Sequence, residues 1–195
     1  MSFGEIFMIM FGAVAAENLI LTKCLGACLF LRMSEKPSDA ARAGAAVTLV
    51  MTVSSAATWA VYHFILVRFG FEYLRTAAFV LVIATLVGIT KLVIKKYLKP
   101  FHNAFGDCLP LLAANCAVFG VALLNINKGY TFGIAVMYGM FSAVGFTFAI
   151  LVFAGMRERL RFVDPPAAFR GIPLALVSAG LLAMAFSGFQ GMKIF

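Results

Sequence analysis

Four cysteines lie within apolar runs of this 195-residue chain: Cys24 and Cys28 in "KCLGAC", Cys108 and Cys116 in "DCLPLLAANC". Four thiolates are what an iron–sulfur cluster takes. The spacing fits no simple local site. Cys24 and Cys28 are four apart, so on a continuous helix they share a face. Cys108 and Cys116 are eight apart, about 12 Å along a helix and too far for one small cluster unless the segment folds back. Neither a C-x2-C pair nor a Cys/His zinc spacing is present. His63 and His102 lie near the ends of apolar segments and away from the cysteines, which gives a haem between them no support. On spacing alone the cysteines read first as small buried hydrophobes, and a metal site second. The other chemistry-bearing residues near Cys28 are Glu17, Asn18, Thr22 and Lys23, set in an apolar run where each charge costs several kcal/mol in hydrocarbon.

What must position these residues is a membrane domain. The chain is 63% hydrophobic and 12% charged, with a mean hydropathy of +1.00. Soluble domains are nearer half apolar and a quarter charged. The net charge of +8 does not mark a nucleic-acid binder, because the basic residues are scattered between apolar segments rather than gathered on a soluble module. The opening "MSFGEIF" has no basic region before its apolar run, so no cleavable signal peptide is expected. Structural disulfides are not expected of cysteines placed in apolar runs.

Six segments approach or exceed the roughly 20 apolar residues that a bilayer requires. They run Phe3–Leu31, Ala41–Val67, Leu74–Ile94, Ala104–Ile126, Phe132–Met156 and Gly171–Met192. The expected fold is therefore an all-α integral membrane protein of six transmembrane helices, one domain over residues 1–195. Loops one, three and five carry most of the Lys and Arg, including Arg32, Lys95, Lys96, Arg157 and Arg161. That asymmetry places the odd loops in the cytoplasm and both termini outside. Three spans per half put the halves, about 1–97 and 98–195, in opposite orientations, the arithmetic of an inverted repeat. "AAEN" at Ala15–Asn18 and "AAN" at Ala113–Asn115 are a faint internal echo.

Depth argues that the first and fourth helices are broken. On continuous helices Cys28 lies roughly 36 Å into the first span and Cys116 about 18 Å into the fourth, at different levels. Polar residues between Glu17 and Gly26, the backbone freedom of Gly26, and Pro110 in the fourth span all permit interruption. Paired broken helices are the sequence pointer to a midplane site. The simpler alternatives are a Glu17–Lys23 pair, a snorkelling Lys23, and a mere kink at Pro110.

"CLGACLF", "LPLLAANCAVFGVALLN", "RERLRFVDPPAAFRG" and "EYLRTAAFVLVIA" together resemble the paired six-helix membrane subunits of the Rnf and Nqr complexes, redox-driven ion pumps, with the Rnf branch the nearer. The resemblance runs along almost the whole chain. It implies two inverted three-helix halves, a homologous partner subunit of opposite orientation, and one [2Fe–2S] cluster at mid-membrane, with two cysteines from each subunit's first and fourth helices. Carried onto this sequence, the ligands are Cys28 of "LGAC" and Cys116 of "NCA". Cys24, Cys108 and Asp107 depart from the family pattern, and the first two are expected to be non-ligands. The implied role is electron relay between a cytoplasmic iron–sulfur protein and a flavin-carrying subunit outside. In such complexes it serves ferredoxin:NAD+ oxidoreduction coupled to Na+ or H+ movement in a bacterial or archaeal cytoplasmic membrane. Asn18, Asn115 and backbone amides at the two interruptions are expected donors to the cluster's sulfurs. A cofactor-free transporter or channel subunit with Glu17 as its ion-binding carboxylate is the alternative, and a purely structural scaffold is a third.

Overall fold

The computed structural model describes residues 12, 19–34, 37–70, 72–97, 115–160, 162, 166 and 171–190. Every element among them is helical. The first apolar segment contains two short helices, α1 (Leu19–Lys23) and α2 (Ala27–Met33). Between them Cys24 (φ 54°) and Gly26 (φ 88°) take left-handed backbone, which no α-helix can carry through. The expected break in the first span is therefore present, at the C-terminal edge of the polar stretch. Glu17, Asn18, Asp107, Cys108 and Pro110 lie outside the described residues.

Helix α3 (Pro37–Val61) ends in a π-helical turn (Tyr62–Leu66) and a last turn at Val67–Phe69. Gly70, left-handed at φ 70°, stops it. A short 3-10 turn (Glu72–Leu74) leads into α4 (Arg75–Tyr97). Helix α5 (Cys116–Asn127) closes on a turn at Lys128–Tyr130, where Gly129 has φ 62°. Helices α6 (Phe132–Leu160) and α7 (Ile172–Gln190) follow. Two helices, Pro37–Leu66 and Phe132–Leu160, are long and apolar enough to cross a bilayer. Large apolar side chains stand exposed along them and their neighbours, among them Leu49, Phe148, Leu81 and Leu181. Surfaces of that kind suit lipid rather than water.

Small residues let α3 and α6 approach closely, as membrane helices require where no hydrophobic force drives them together. Gly44 of α3 packs on Thr147 of α6, and Gly139 of α6 packs on Ser55 of α3. Rising numbers on one helix meet falling numbers on the other, so the pair is antiparallel. The seam is also reciprocal, with each helix offering a glycine to a hydroxyl residue of the other. Ser55 Oγ donates to Ala135 O at 2.7 Å, and Asn125 Nδ2 of α5 donates to Ser55 Oγ at 2.6 Å. Trp59 Nε1 donates to Tyr130 O at 2.9 Å near the same end.

At the other end of α6, Arg157 Nη1 donates to Leu31 O at 2.8 Å and to Ser34 Oγ at 2.9 Å. The Leu31 carbonyl at the end of α2 also accepts from Ser34 Oγ at 3.3 Å, so the guanidinium joins a small hydrogen-bonded cluster there. Phe30 stacks on Phe153 with ring centroids 4.4 Å apart, and both rings are buried. These contacts seat α2 on α6. The ends where loops one and five begin are thus joined.

Candidate functional site

Asn115 opens the site. It sits just before an apolar run, as a helix cap does, and its extended backbone (ψ 107°) lets its side-chain Oδ1 accept the Ala117 N–H at 3.0 Å. Helix α5 therefore begins at Cys116, which stands exposed in its first position. Helix α2 begins in a parallel way. Left-handed Gly26 is its cap, the Phe30 N–H bonds to Gly26 O at 3.1 Å, and Cys28 stands exposed in the first turn.

Gly26 brings the two starts together. A Cβ added there would fall 3.0 Å from Asn115 Oδ1, 3.1 Å from the Ala117 Cβ and 2.9 Å from Phe146 Cε2. The backbone two residues before Cys28 thus lies directly against the residues on either side of Cys116. Only glycine fits, for space and for φ alike. The level mismatch expected of continuous helices is removed. Cys28 lies in the first turn of a new helix, only about 8 Å along it from Met33.

Cysteine is among the residues most often buried, yet Cys24, Cys28 and Cys116 are all exposed and free. First-turn N–H groups and the positive end of a helix favour negative charge nearby. A thiolate-bound cluster carries such charge. Asn115 Nδ2 is a second mark of the site. It is buried and has no hydrogen-bond partner among the described residues, a state that costs about 1–3 kcal/mol and calls for a cause. Two exposed thiols at converging helix starts, beside an orphaned donor, fit half of a four-thiolate set. Among the described residues, no group of three or more His, Cys, Asp or Glu gathers to make a whole one.

Other expectations fall differently. Cys24 and Cys28 do not share a helix face, because the left-handed residues between α1 and α2 destroy the register on which that expectation rested. Lys23 ends α1 with its side chain exposed. His63 lies in the π-helical turn, stacked on Trp59 at 5.0 Å, with no metal-binding group around it among the described residues. His102 is outside them. Phe146 and Arg157, which meet the start and the end of α2 from α6, carried no local signal in the sequence.

The Rnf-Nqr subunit model, a family of membrane proteins, matches residues 6–193. A protein of Syntrophotalea carbinolica is 46% identical over 188 residues, covering 96% of this chain and 97% of its own length. One from Azoarcus sp. is likewise 46% identical over 188 residues, with the same two coverages. One from Edwardsiella ictaluri is 44% identical over 191 residues, covering 98% and 99%. All three are named as the A subunit of an ion-translocating oxidoreductase complex. With exposed cysteines at two converging helix starts and full-length likeness to these proteins, the chain belongs to the Rnf-Nqr family of membrane subunits.

Proposed function

We propose that this chain is the A-type membrane subunit of a redox-driven ion-translocating complex, and that it relays electrons across the bilayer. In this reading Cys28 and Cys116 hold one half of a [2Fe–2S] cluster, and a homologous six-helix subunit of opposite orientation supplies the other two thiolates. The cluster, when bound, accepts and passes on single electrons. This chain's own residues prepare its half of the site. Gly26 admits the close approach, Asn115 starts α5 at the ligand, Phe146 backs the junction, and Arg157 ties α2 to α6. The observation that carries the reading is the contact of Gly26 with Asn115 and Ala117, which sets two exposed cysteines at adjoining helix starts.

The wider architecture belongs to the same proposal. The reciprocal glycine seam between α3 and α6 supports an inverted repeat with halves near 1–97 and 98–195. Six spans, cytoplasmic odd loops and both termini outside follow from the charge asymmetry. A midplane stepping stone suits electron passage across about 30 Å of hydrocarbon. Iron-sulfur and flavin-carrying subunits are the partners on the two sides, and Na+ or H+ is the coupled ion.

Iron content and low-temperature EPR of the chain co-purified with its natural partners test the proposal. A [2Fe–2S] signal lost in Cys28→Ser and in Cys116→Ser, and kept in Cys24→Ser and Cys108→Ser, is the expected result. An intact, correctly inserted complex without a [2Fe–2S] signal, or with one that survives both Cys28→Ser and Cys116→Ser, would overturn it, and the reading to pursue would then be a transporter component without a cofactor.

A further inference from the structure

Asn115 carries more than a cap requires. Its Oδ1 accepts the Ala117 N–H at 3.0 Å. A backbone N–H demands an acceptor, so this bond fixes which end of the amide is oxygen and makes the other end Nδ2. Nδ2 is sealed from solvent without an acceptor among the described residues, in a residue only 2% exposed. Aspartate, serine or threonine would cap α5 through an oxygen alone. Asparagine adds two N–H donors on the residue immediately before Cys116, while its Oδ1 end lies against Gly26, which leads to Cys28. The strong acceptors that belong at that place are sulfurs.

We infer that Asn115 Nδ2 donates a hydrogen bond to a sulfur of the shared cluster, the Cys116 thiolate or a bridging sulfide, and that this bond raises the cluster's reduction potential. The inference rests on the shared-cluster reading. Reduction adds negative charge over iron and sulfur, and an N–H donor stabilises the more negative state. Low-dielectric surroundings strengthen the effect. Asn115 is thereby a positioning residue twice over, once for the helix and once for the electron.

The test uses the whole complex, reduced, with its asparagine side-chain amides labelled with 15N. Pulsed EPR of the unsubstituted complex is expected to show a 15N coupling and an exchangeable-deuteron coupling to the reduced cluster. Both should vanish in Asn115→Ser, which keeps an oxygen cap. The midpoint potential should shift negative in Asn115→Ser, and further in Asn115→Asp, where an acceptor replaces the donor. Absence of any asparagine 15N coupling in the unsubstituted complex overturns the inference without recourse to a variant. So does an Asn115→Ser complex with unchanged couplings and potential. An unsubstituted complex with no reduced-cluster signal at all is a separate result, which removes the shared-cluster reading and this inference with it.

Discussion

Gly26→Ala is the substitution whose cost divides most cleanly into parts. The first part is conformational. Gly26 has φ 88°, and a residue with a Cβ pays roughly 1–2 kcal/mol for left-handed backbone. The second is steric. The new methyl would meet Phe146, Asn115 and Ala117 at 2.9, 3.0 and 3.1 Å, and overpacking of that kind costs about 1–3 kcal/mol. Together they amount to about 2–5 kcal/mol. Two other glycines separate the parts. Gly70 is left-handed at φ 70° with nothing within 4 Å of an added Cβ, so Gly70→Ala should show the conformational part alone. Gly155 lies within α6, also with nothing within 4 Å, so its alanine variant should be neutral or stabilising. Thermal unfolding of the purified complex should rank them Gly26→Ala below Gly70→Ala below Gly155→Ala. Iron per complex should fall in Gly26→Ala alone, because only there does the change push the Cys28 segment away from Cys116. If Gly26→Ala and Gly70→Ala were equally stable and equally loaded, the close approach at Gly26 would not be what holds the two cysteine helices together.

Further outcomes are expected. Cys24→Gly relieves a left-handed non-glycine residue and should gain about 0.5–1 kcal/mol after the added chain entropy is counted; loss of iron in this variant would show instead that Cys24 is a ligand. Arg157→Met removes the shorter of two bonds to Leu31 O and the bond to Ser34 Oγ, and should cost about 1–3 kcal/mol in thermal unfolding. Arg157→Lys should fall between it and the parent. Gly44→Ala drives a methyl into Thr147 and should cost about 1–3 kcal/mol. Adding Thr147→Ala should recover most of that loss, and a strictly additive double variant would show that the seam is not packed as described.

Some of this was legible in the residue order, for physical reasons. Charges, glycines and prolines cannot sit comfortably in a lipid-facing helix, so they mark loops and interruptions. Gly70 and Gly129 both close helices where turns were expected. The asparagine ahead of "CAVFG" is a helix cap, a role hidden in the residue order by the apolar residues that continue on both sides of it. The polar stretch from Glu17 announces a broken first span, but not the residue at which it breaks. Cysteine has no preference for left-handed backbone, so nothing in the composition singles out Cys24 as the residue that bends. Long-range partners were the least legible. The Arg157–Ser34 bond joins residues 123 apart, and nothing near either residue names the other. The reciprocal Gly44–Thr147 and Gly139–Ser55 contacts depend on two helices already being antiparallel and in register, a property of the assembled pair rather than of either segment.

That same seam dictates how the chain can be made. Thr48 and Thr147 face each other across it at 3.4 Å and are 99 residues apart in the chain. At a synthesis rate of about 5–20 residues per second, roughly 5–20 s pass between the emergence of one and of the other. Through that interval α3 must wait with Gly44 and Ser55 lacking the neighbours on α6 that later cover them. Its Thr hydroxyls bond to its own backbone, Thr48 to Gly44 O and Thr52 to Thr48 O, so the waiting helix carries those hydroxyls into the bilayer already satisfied. Ser55 is different. Its acceptor, Ala135 O, arrives only with the fifth apolar segment. The hydroxyl of Ser55 therefore gains its backbone acceptor only once the second half of the chain has been made, so the α3–α6 seam closes late in synthesis.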